Sequence, residues 1–524
     1  MKISFKIVFL LILFLAIFLR VQYLDKTLMA DETVYFDAAK NINLQGRPIY
    51  CNHCLTQDPR VSRILNVHPP LFLIYLSQVV YLFNLNEGAI KLSIVIFSVA
   101  SVLLIYFTGK MLGGQKVGLI SMFLLAIISL HIEHSQVVDI DGSFFTFFIL
   151  LTIFSFLKWQ KTKNNKYFIL FILSFIFSIL TKESAILLFP VLFFYFLKEK
   201  KVFKFFKILI IVSIISFIFL FFFKILLSTN FFEGILDLST GFALHRIQTN
   251  ILGRVYQFLG ITTWKLTPPL LIFTVFSIFY NWKKENQFYK FLIIFLLFYS
   301  IFYILLLGIT RYFVPIVPVL CLLVANYIKN YKIKYTQKTF SIIAITATLC
   351  FISFYLLGIR NDTQFLNNLK NNFLFIIVPY GLCVIPFGLY FTKYKNVAFV
   401  ILIGMLIGYN IFFAQESINP LITPDFNKAV MDASDFIKNP SLEGPLISMY
   451  DISFYSNRDF YYIEFPNAIS TMKNMFEQNK TFYVVYRTNS ILIQPSIIQF
   501  LDHNCTKIAN GVSRNVEVFK AFKC

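Results

Sequence analysis

Long apolar blocks alternate with short polar segments over most of the chain. The blocks measure about 15 to 24 residues, which is the length that an α-helix needs to cross roughly 30 Å of hydrocarbon. A membrane β-barrel would instead show short strands in which apolar and polar residues alternate. The pattern therefore predicts an all-α polytopic membrane protein with about thirteen transmembrane helices, at residues 4–24, 90–109, 117–131, 142–157, 167–180, 184–197, 208–226, 267–281, 290–309, 312–328, 339–358, 371–391 and 397–413.

The composition agrees with a membrane protein and excludes a soluble one. Hydrophobic residues make up 58% of the chain and charged residues only 14%, whereas soluble domains are about a quarter charged. The net charge of +21 does not indicate nucleic-acid binding, because the Lys and Arg residues lie between apolar blocks and form no basic face with interleaved aromatics. The first block, 4–24, is too long for a signal-peptide core and precedes no small-residue cleavage site, so we expect an uncleaved helix.

Lysines are concentrated in every second loop, and this predicts the orientation of the chain in the membrane. Cytoplasmic loops carry the excess of Lys and Arg, a condition that is met when the N-terminus is cytoplasmic and the C-terminus is outside. One further apolar block of about 16 residues, 69–84, opens with two prolines. Counting it as a span would reverse every later loop, so we expect an interfacial or re-entrant helix there.

The composition changes after residue 413, where polar residues become frequent and no block is long enough to span a membrane. Segments 446–450 and 481–486 have the pattern of strands, and segment 427–438 has that of a helix. Cys505 and Cys524 could form a disulfide in this part of the chain, a pairing that the sequence alone leaves open.

Two domains follow from these patterns. The first, 1–413, is a transmembrane domain whose external loop 25–88 carries juxtamembrane helices. The second, 414–524, is a small extracytoplasmic α/β domain.

Two adjacent carboxylates, Asp31 and Glu32, follow the first apolar block. They are badly placed for packing against lipid and well placed for chemistry at the water boundary. We interpret Asp31 as the centre of an active site. The alternative is that the pair only ends one helix and caps the next.

The second external loop is dense in titratable side chains for so apolar a protein. It contains Glu133, His134, Asp139 and Asp141. The first three, together with Asp31, could hold a divalent metal ion. The alternative is a polar connector that faces water, because short loops are commonly polar.

Lys182 and Arg311 are basic residues on the predicted outer side, where lysines are scarce. A phosphate or a facing carboxylate is the expected partner of Lys182, and a charge pair with Glu183 is the simpler alternative. Arg311 could snorkel to the membrane interface. Pro315 and Pro318, which follow it, indicate a broken helix end that can line a cavity.

Two further external features are less specific. Cys51 and Cys54 with His53 make an incomplete zinc set, and a local disulfide is the alternative. Segment 228–267 mixes apolar and polar residues and could form an amphipathic lid at the membrane surface.

Taken in chain order, these motifs resemble those of the polytopic glycosyltransferases of the C type. Within that family they are most similar to the branch of protein O-mannosyltransferases and lipid A aminoarabinose transferases. The matching pieces are Arg20 at the end of the first helix, Asp31-Glu32 with Tyr35, His68-Pro69-Pro70-Leu71, Asp141 before a phenylalanine-rich helix, Thr181-Lys182-Glu183, and Arg311-Tyr312 with Pro315 and Pro318.

The resemblance implies an enzyme that takes a sugar from a polyprenyl-phosphate carrier. The sugar would be transferred, with inversion and outside the cytoplasm, to a hydroxyl of a protein or of a lipid or glycan acceptor. The resemblance also implies individual roles: Asp31 as general base with Glu32 beside it, Asp141 as a second acidic residue, and Lys182, Arg311, His68 and Tyr35 at the donor phosphate. His68 stands where the lipid A branch usually has a lysine, which weakens the case for aminoarabinose as the sugar.

The chemistry of such a transfer needs the same residue types. A base must take the proton of the acceptor hydroxyl, and cations must balance the charge that accumulates on the departing phosphate. The competing interpretation is a transporter or lipid flippase, but those proteins keep ionisable residues near the membrane centre and have repeated halves. Here the unusual charges collect at one predicted face.

Overall fold

The computed structural model describes most of the chain. Apart from a few single residues, the described ranges are 4–22, 31–48, 68–83, 86–227, 265–283, 286–306, 310–331, 341–350, 394–418, 426–439, 444–449, 461–463, 468–478, 480–488, 495–513 and 516–524. The CxxC pair and nearly all of the lid predicted at 228–267 lie outside them.

These residues are mostly helical. The first ten α-helices are α1 Phe5–Val21, α2 Asp31–Gln45, α3 Leu71–Leu82, α4 Glu87–Gly113, α5 Gln115–Ile127, α6 Ser129–Glu133, α7 Phe145–Thr162, α8 Asn165–Thr181, α9 Leu188–Lys198 and α10 Val202–Leu227. The later ones are α11 Pro268–Lys283, α12 Gln287–Leu306, α13 Val317–Asn330, α14 Ser341–Cys350, α15 Lys395–Ile418, α16 Phe426–Ile437, α17 Ala468–Glu477 and α18 Pro495–Asn504. Short turns of π or 3₁₀ helix lie before three of them, at Ile140–Phe144, Glu183–Leu187 and Thr310–Ile316.

Five helical segments in the described ranges are long and apolar enough to cross a membrane: Glu87–Gly113, Ile140–Thr162, Val202–Leu227, Arg311–Asn330 and Lys395–Phe413. Shorter apolar helices accompany them, α3 among them. With 12 residues, α3 is about 18 Å long, too short to span. The predicted polytopic helical fold is confirmed, and the count of thirteen spans stays a prediction because segment 371–391 lies almost wholly outside the described residues.

Small residues bring α4 and α5 into close contact. The two helices are joined at Gly114. Its backbone φ of +84° is one that residues with a Cβ rarely adopt. A Cβ on Gly109 would lie 2.9 Å from the Cα of Gly118. Such close backbone approach through small residues is typical of helices that pack in lipid.

Hydroxyl groups join α7 to α8. The Oγ1 of Thr152 lies 3.2 Å from the Oγ of Ser178, and the Oγ of Ser155 lies 3.3 Å from the Oγ of Ser174. All four side chains are buried. Polar contacts of this kind hold apolar helices in one register, and here they join the middle of α7 to the second half of α8.

The C-terminal part contains a five-stranded sheet in the order β2-β1-β3-β5-β4. The strands are β1 Leu446–Ser448, β2 Tyr461–Tyr462, β3 Tyr483–Arg487, β4 Thr506–Ser513 and β5 Val516–Lys523. β1 is parallel to β2 and β3, and β5 is antiparallel to β3 and β4. The strands predicted at 446–450 and 481–486 and the helix predicted at 427–438 are confirmed.

A disulfide between Cys505 and Cys524 joins the start of the last hairpin to the chain terminus. The pairing that the sequence left open is therefore present.

Tyr455 joins the C-terminal part to the helical part. Its hydroxyl accepts a hydrogen bond from the backbone N–H of Leu28 (2.6 Å) and donates one to Oε2 of Glu87 (3.1 Å). Leu28 is fully buried and lies just before Asp31. The C-terminal part thus contacts the segment that leads into α2.

Candidate active site

Five of the residues singled out in the sequence converge at one end of the helices. Asp31 is the first residue of α2, Asp139 and Asp141 lie at the entry to α7, Lys182 follows the last residue of α8, and Arg311 lies in the 3₁₀ turn before α13. Four separate segments therefore contribute to one charged cluster.

Arg311 is the centre of this cluster. Its Nη1 pairs with Oδ2 of Asp31 and lies 3.7 Å from Oδ2 of Asp139. Its Nε lies 3.3 Å from Oδ2 of Asp141. One guanidinium therefore faces three carboxylates, which is an arrangement that its planar array of donors allows. Arg311 does not snorkel into water, since its side chain is only 26% exposed.

Lys182 and Asp141 form the buried part of the cluster. The Nζ of Lys182 pairs with Oδ1 of Asp141, and both side chains are almost completely buried. The same Nζ lies 4.2 Å from the ring centroid of Tyr312, a distance typical of a cation–π contact. Burial lowers the pKa of the Lys182 ammonium, whereas the carboxylates of Glu183 and Asp139 raise it. The partner of Lys182 is therefore a facing carboxylate and not its neighbour in the chain.

His68 and Glu183 form a second pair beside Lys182. Nδ1 of His68 lies 3.2 Å from Oε2 of Glu183. Burial alone would raise the pKa of Glu183. The charge and hydrogen bond of His68 and the charge of Lys182 have a larger, opposite effect, so the pKa is lowered to about 2. Glu183 is thus a carboxylate near neutral pH. Because His68 is bonded to it, His68 lies in the same part of the cluster as Lys182.

The loop between α6 and α7 is held by Glu32. The Oε1 of Glu32 accepts a hydrogen bond of 2.8 Å from the backbone N–H of Val138, and Glu32 is buried. Gly142 then turns the chain into α7, where an added Cβ would lie 2.9 Å from the carbonyl oxygen of His134. Glu32 therefore positions the segment that carries Asp139 and Asp141.

Tyr35 lies one helical turn after Asp31 and is buried. Its ring packs edge to face on Phe72, with the centroids 5.6 Å apart. Burial raises the pKa of Tyr35, and the nearby Asp139 and Asp31 charges raise it further. Tyr35 is therefore a neutral phenol at the edge of the cluster.

The three predicted metal ligands do not come together. Glu133 pairs with Lys265, with 2.5 Å between Oε2 and Nζ, and Asp139 faces Arg311. His134 is buried, and burial lowers its pKa. Across the described ranges, no three His, Cys, Asp or Glu side chains form a group that could hold a metal ion. These residues do not fit a metal in this arrangement, and we assign no chemical step to one.

Three residues at or near the cluster received no role in the sequence interpretation. Tyr312 follows Arg311 directly, and its ring contacts Lys182. Lys265 pairs with Glu133. The reasoning that singles out Lys182 also applies to Lys265, since it too lies on the side that is predicted to be poor in lysine. The sequence places Arg20 only at the end of the first helix.

Arg20 is fully buried and joins α1 to three other helices. Its guanidinium donates to the carbonyl oxygens of Leu125 and Ala126 at the end of α5, and to the Oγ of Ser98 in α4. It also lies 2.9 Å from Nδ1 of His131 in α6. Arg20 thus supports the segment that leads into the acidic loop, and no sequence pattern indicates which carbonyls it meets.

Residues 67–225 match the family model described as dolichyl-phosphate-mannose-protein mannosyltransferase. This segment contains His68, Asp139, Asp141 and Lys182. No curated protein sequence matches the chain.

The whole fold is similar to solved structures of two proteins. ArnT from Cupriavidus metallidurans bound to undecaprenyl phosphate is 13% identical, with a TM-score of 0.61 over 99% of this chain and 97% of that one. ArnT in the apo state is 12% identical, with a TM-score of 0.59 over the same shares of the two chains.

The second protein is the oligosaccharyltransferase from Archaeoglobus fulgidus in the apo form. It is 14% identical, with a TM-score of 0.54 over 93% of this chain and 70% of that one. At sequence identities this low, the similarity to these structures shows the fold alone. The resemblance seen in the sequence is confirmed for residues 67–225, which match the dolichyl-phosphate-mannose-protein mannosyltransferase family model, and the fold of the chain is similar to that of ArnT.

Proposed function

We propose that this protein transfers a sugar from a polyprenyl-phosphate carrier to a hydroxyl group of a protein or of a lipid or glycan acceptor, with inversion. The observation that carries the proposal is the contact between a half-exposed carboxylate, Asp31, and the guanidinium of Arg311. A proton acceptor and a phosphate-binding cation side by side are what such a transfer requires.

Asp31 is the general base in this proposal. Its side chain is 50% exposed, whereas the side chains of Asp139 and Asp141 are 3% exposed. An acceptor hydroxyl can therefore approach Asp31 most easily. Its O–H bond breaks as the proton passes to Asp31, and the oxygen forms a new bond to the anomeric carbon.

The carrier phosphate leaves on the side of the cations. The bond between the anomeric carbon and the phosphate oxygen breaks, and its electron pair stays on the phosphate. Arg311 is the first residue that the phosphate would meet, and Lys182, His68 and Tyr35 complete this side of the site. At about 4 Å and an effective dielectric constant near 20, each charge pair contributes roughly 4 kcal/mol before desolvation is subtracted.

Binding of the donor would also prepare the base. In the described structure Asp31 is paired with Arg311. If the phosphate takes over Arg311, the carboxylate of Asp31 loses its ion-pair partner and is free to contact the acceptor hydroxyl. Donor binding and base activation are then two consequences of one movement.

Orientation in the membrane belongs to the same proposal. The alternation of basic loops supports a cytoplasmic N-terminus, about thirteen spans and an active site on the outer side. The acceptor would then reach Asp31 from outside. The contact between Tyr455 and Leu28 supports a role for the C-terminal domain beside the acceptor path.

The proposal is tested with purified protein in detergent, a set of synthetic polyprenyl-phosphate sugars and a hydroxylated acceptor peptide or lipid. The expected result is release of polyprenyl phosphate together with a glycosylated acceptor of inverted anomeric configuration. A transporter or flippase would consume no donor in detergent and would only move the intact lipid across a reconstituted bilayer, and that result would exclude the transferase.

A further inference from the structure

Tyr312 contacts both cations of the charged cluster. Its ring centroid lies 4.2 Å from the Nζ of Lys182 and 5.6 Å from the Cζ of Arg311. Both distances are within the roughly 6 Å at which an aromatic face attracts a cation. The tyrosine is buried, with 7% of its surface exposed, so salt screens these contacts little. One ring thus contacts two cations that belong to separate segments of the chain.

The position of this ring is fixed by the turn that carries it. Thr310–Ile316 is a short 3₁₀ segment that contains Pro315, and a proline restricts the backbone. The side chains of Phe313 and Val314 in the same turn are fully buried. Lys182, in contrast, has a long flexible side chain and follows the last residue of α8. The turn can therefore serve as a fixed support against which the lysine is held.

The carboxylates of the cluster cannot hold the cations for a phosphate in the same way. Asp31 pairs with Arg311, and Asp141 pairs with Lys182, and these pairs neutralise the charges that a phosphate would need. A tyrosine ring carries no charge near neutral pH. It attracts cations through its π-electrons and leaves their charge in place. The ring can therefore keep both cations together while a phosphate replaces the carboxylates, although like charges repel each other.

We propose that Tyr312 is a positioning residue that holds Lys182 and Arg311 within reach of one donor phosphate. The role assigned to Tyr312 rests on the proposed function, which gives the two cations a phosphate to bind. Loss of the ring should weaken binding of the phosphate through the two cations and leave binding of the lipid tail unchanged. A tyrosine that only filled space in the turn would change the stability of the protein and not the preference for phosphate.

The test compares binding of undecaprenyl phosphate with binding of undecaprenol, which has the same tail and no phosphate, to the purified protein in detergent. The parent should prefer the phosphate. Tyr312→Phe keeps an aromatic face and should retain this preference within about threefold. Tyr312→Leu removes the aromatic face and should reduce the affinity for undecaprenyl phosphate about tenfold, with binding of undecaprenol unchanged. Tyr312→Met should show the same loss, and its flexible side chain can fill the gap if leucine leaves the turn unstable.

The matched control is Tyr327→Leu, which removes a tyrosine ring of similar burial at the other end of α13. This variant should also lower the free energy of unfolding, because it leaves a cavity, yet it should bind undecaprenyl phosphate within about twofold of the parent. Thermal unfolding of every variant is measured on the same preparation. The control thus separates general loss of stability from loss of phosphate binding.

A double-mutant cycle shows whether the ring acts through the lysine. In the background Lys182→Met/Asp141→Asn, only the contact with Arg311 remains, so Tyr312→Leu should cost at most about threefold in affinity. The positioning role would be overturned by an undiminished loss in that background, by an equal loss for undecaprenol, by an equal loss in Tyr312→Phe, or by parental affinity of both Tyr312→Leu and Tyr312→Met. A parent protein that binds the two lipids equally would instead contradict the proposed function.

Discussion

Asp31 and Arg311 are 280 positions apart in the sequence and form an ion pair at the centre of the candidate active site. The same guanidinium faces Asp139 and Asp141. In this arrangement the proposed base and the proposed phosphate ligand neutralise each other. A donor phosphate must therefore compete with carboxylates for Arg311, and its success would release Asp31 for proton transfer.

The variant Asp31→Asn tests the base. Asparagine keeps an oxygen that could cap α2 but cannot accept the proton of the acceptor. We expect a folded protein that binds the carrier lipid and whose turnover falls at least about a hundredfold, the usual scale for loss of general-base catalysis. Turnover, lipid binding and thermal unfolding are measured on the same preparation.

Asp435→Asn is the matched control, because Asp435 is an exposed aspartate in α16 that pairs only with Lys438 among its described contacts. It should leave turnover unchanged. An Asp31→Asn protein that is stable, binds carrier and transfers sugar at nearly the parental rate would show that Asp31 is not the general base.

The buried pair of Lys182 and Asp141 needs a charge-balanced test. Lys182→Met alone leaves a buried carboxylate short of a partner, which should destabilise the protein by about 3 kcal/mol. Lys182→Met/Asp141→Asn removes both charges, so the free energy of unfolding should return to within about 1 kcal/mol of the parent. Its affinity for the donor phosphate should stay low if Lys182 binds that phosphate.

Asp141→Asn alone completes this cycle, since it keeps Lys182 and removes its partner. Donor affinity should then be equal to or higher than in the parent. If the double variant binds donor as tightly as the parent, Lys182 only neutralises Asp141 and has no phosphate role.

The sequence singles out charged residues that lie together in the structure, but it does not predict how they pair. Apolar length and lysine alternation indicated the helices, and scarcity of basic residues on one side singled out Lys182 and Arg311. The partners of Arg311 come from α2 and from the entry to α7, and only the packing of helices decides which carboxylate it meets. For the same reason the predicted metal ligands form no metal-binding group among the described residues, because Lys265, which is distant in the sequence, pairs with Glu133.

In the small sheet, too, the sequence predicts some strands but not their pairing. β1 and β3 are short runs of apolar and β-branched or aromatic residues, so their pattern was clear. β4 contains Asn510 and Gly511 and has a weak strand pattern, and its register with β5 shifts in two places. Its pairing depends on β5, and hence on tertiary contacts that no local pattern contains.

Tyr455→Phe tests whether the C-terminal part holds the segment before Asp31. The change keeps the ring and removes the hydroxyl that accepts from the buried N–H of Leu28. An unsatisfied buried amide costs about 1 to 3 kcal/mol, so the free energy of unfolding should fall by that amount. Turnover should fall severalfold while the donor KM stays constant, because the segment that leads to Asp31 loses its contact at Leu28 and the cations of the phosphate side lose none.

Tyr81→Phe is the control for this variant, since Tyr81 is an exposed tyrosine of α3. It should change neither stability nor turnover. Equal behaviour of the two variants would mean that the Tyr455 hydroxyl has no positioning role.

The last prediction concerns the side of the membrane on which the active site lies. Single cysteines are introduced in place of Glu477 and Lys166, both of which are exposed, in a background in which Cys51 and Cys54 are serine. In intact cells a membrane-impermeant maleimide should label Glu477→Cys, because the C-terminal domain is predicted outside. It should label Lys166→Cys only after the membrane is opened, because this lysine belongs to a predicted cytoplasmic loop. The disulfide between Cys505 and Cys524 keeps those two thiols unreactive on the outer side. Labelling of Lys166→Cys from outside with protection of Glu477→Cys would invert the topology, and Asp31 would then face the cytoplasm, where an acceptor outside the cell could not reach it.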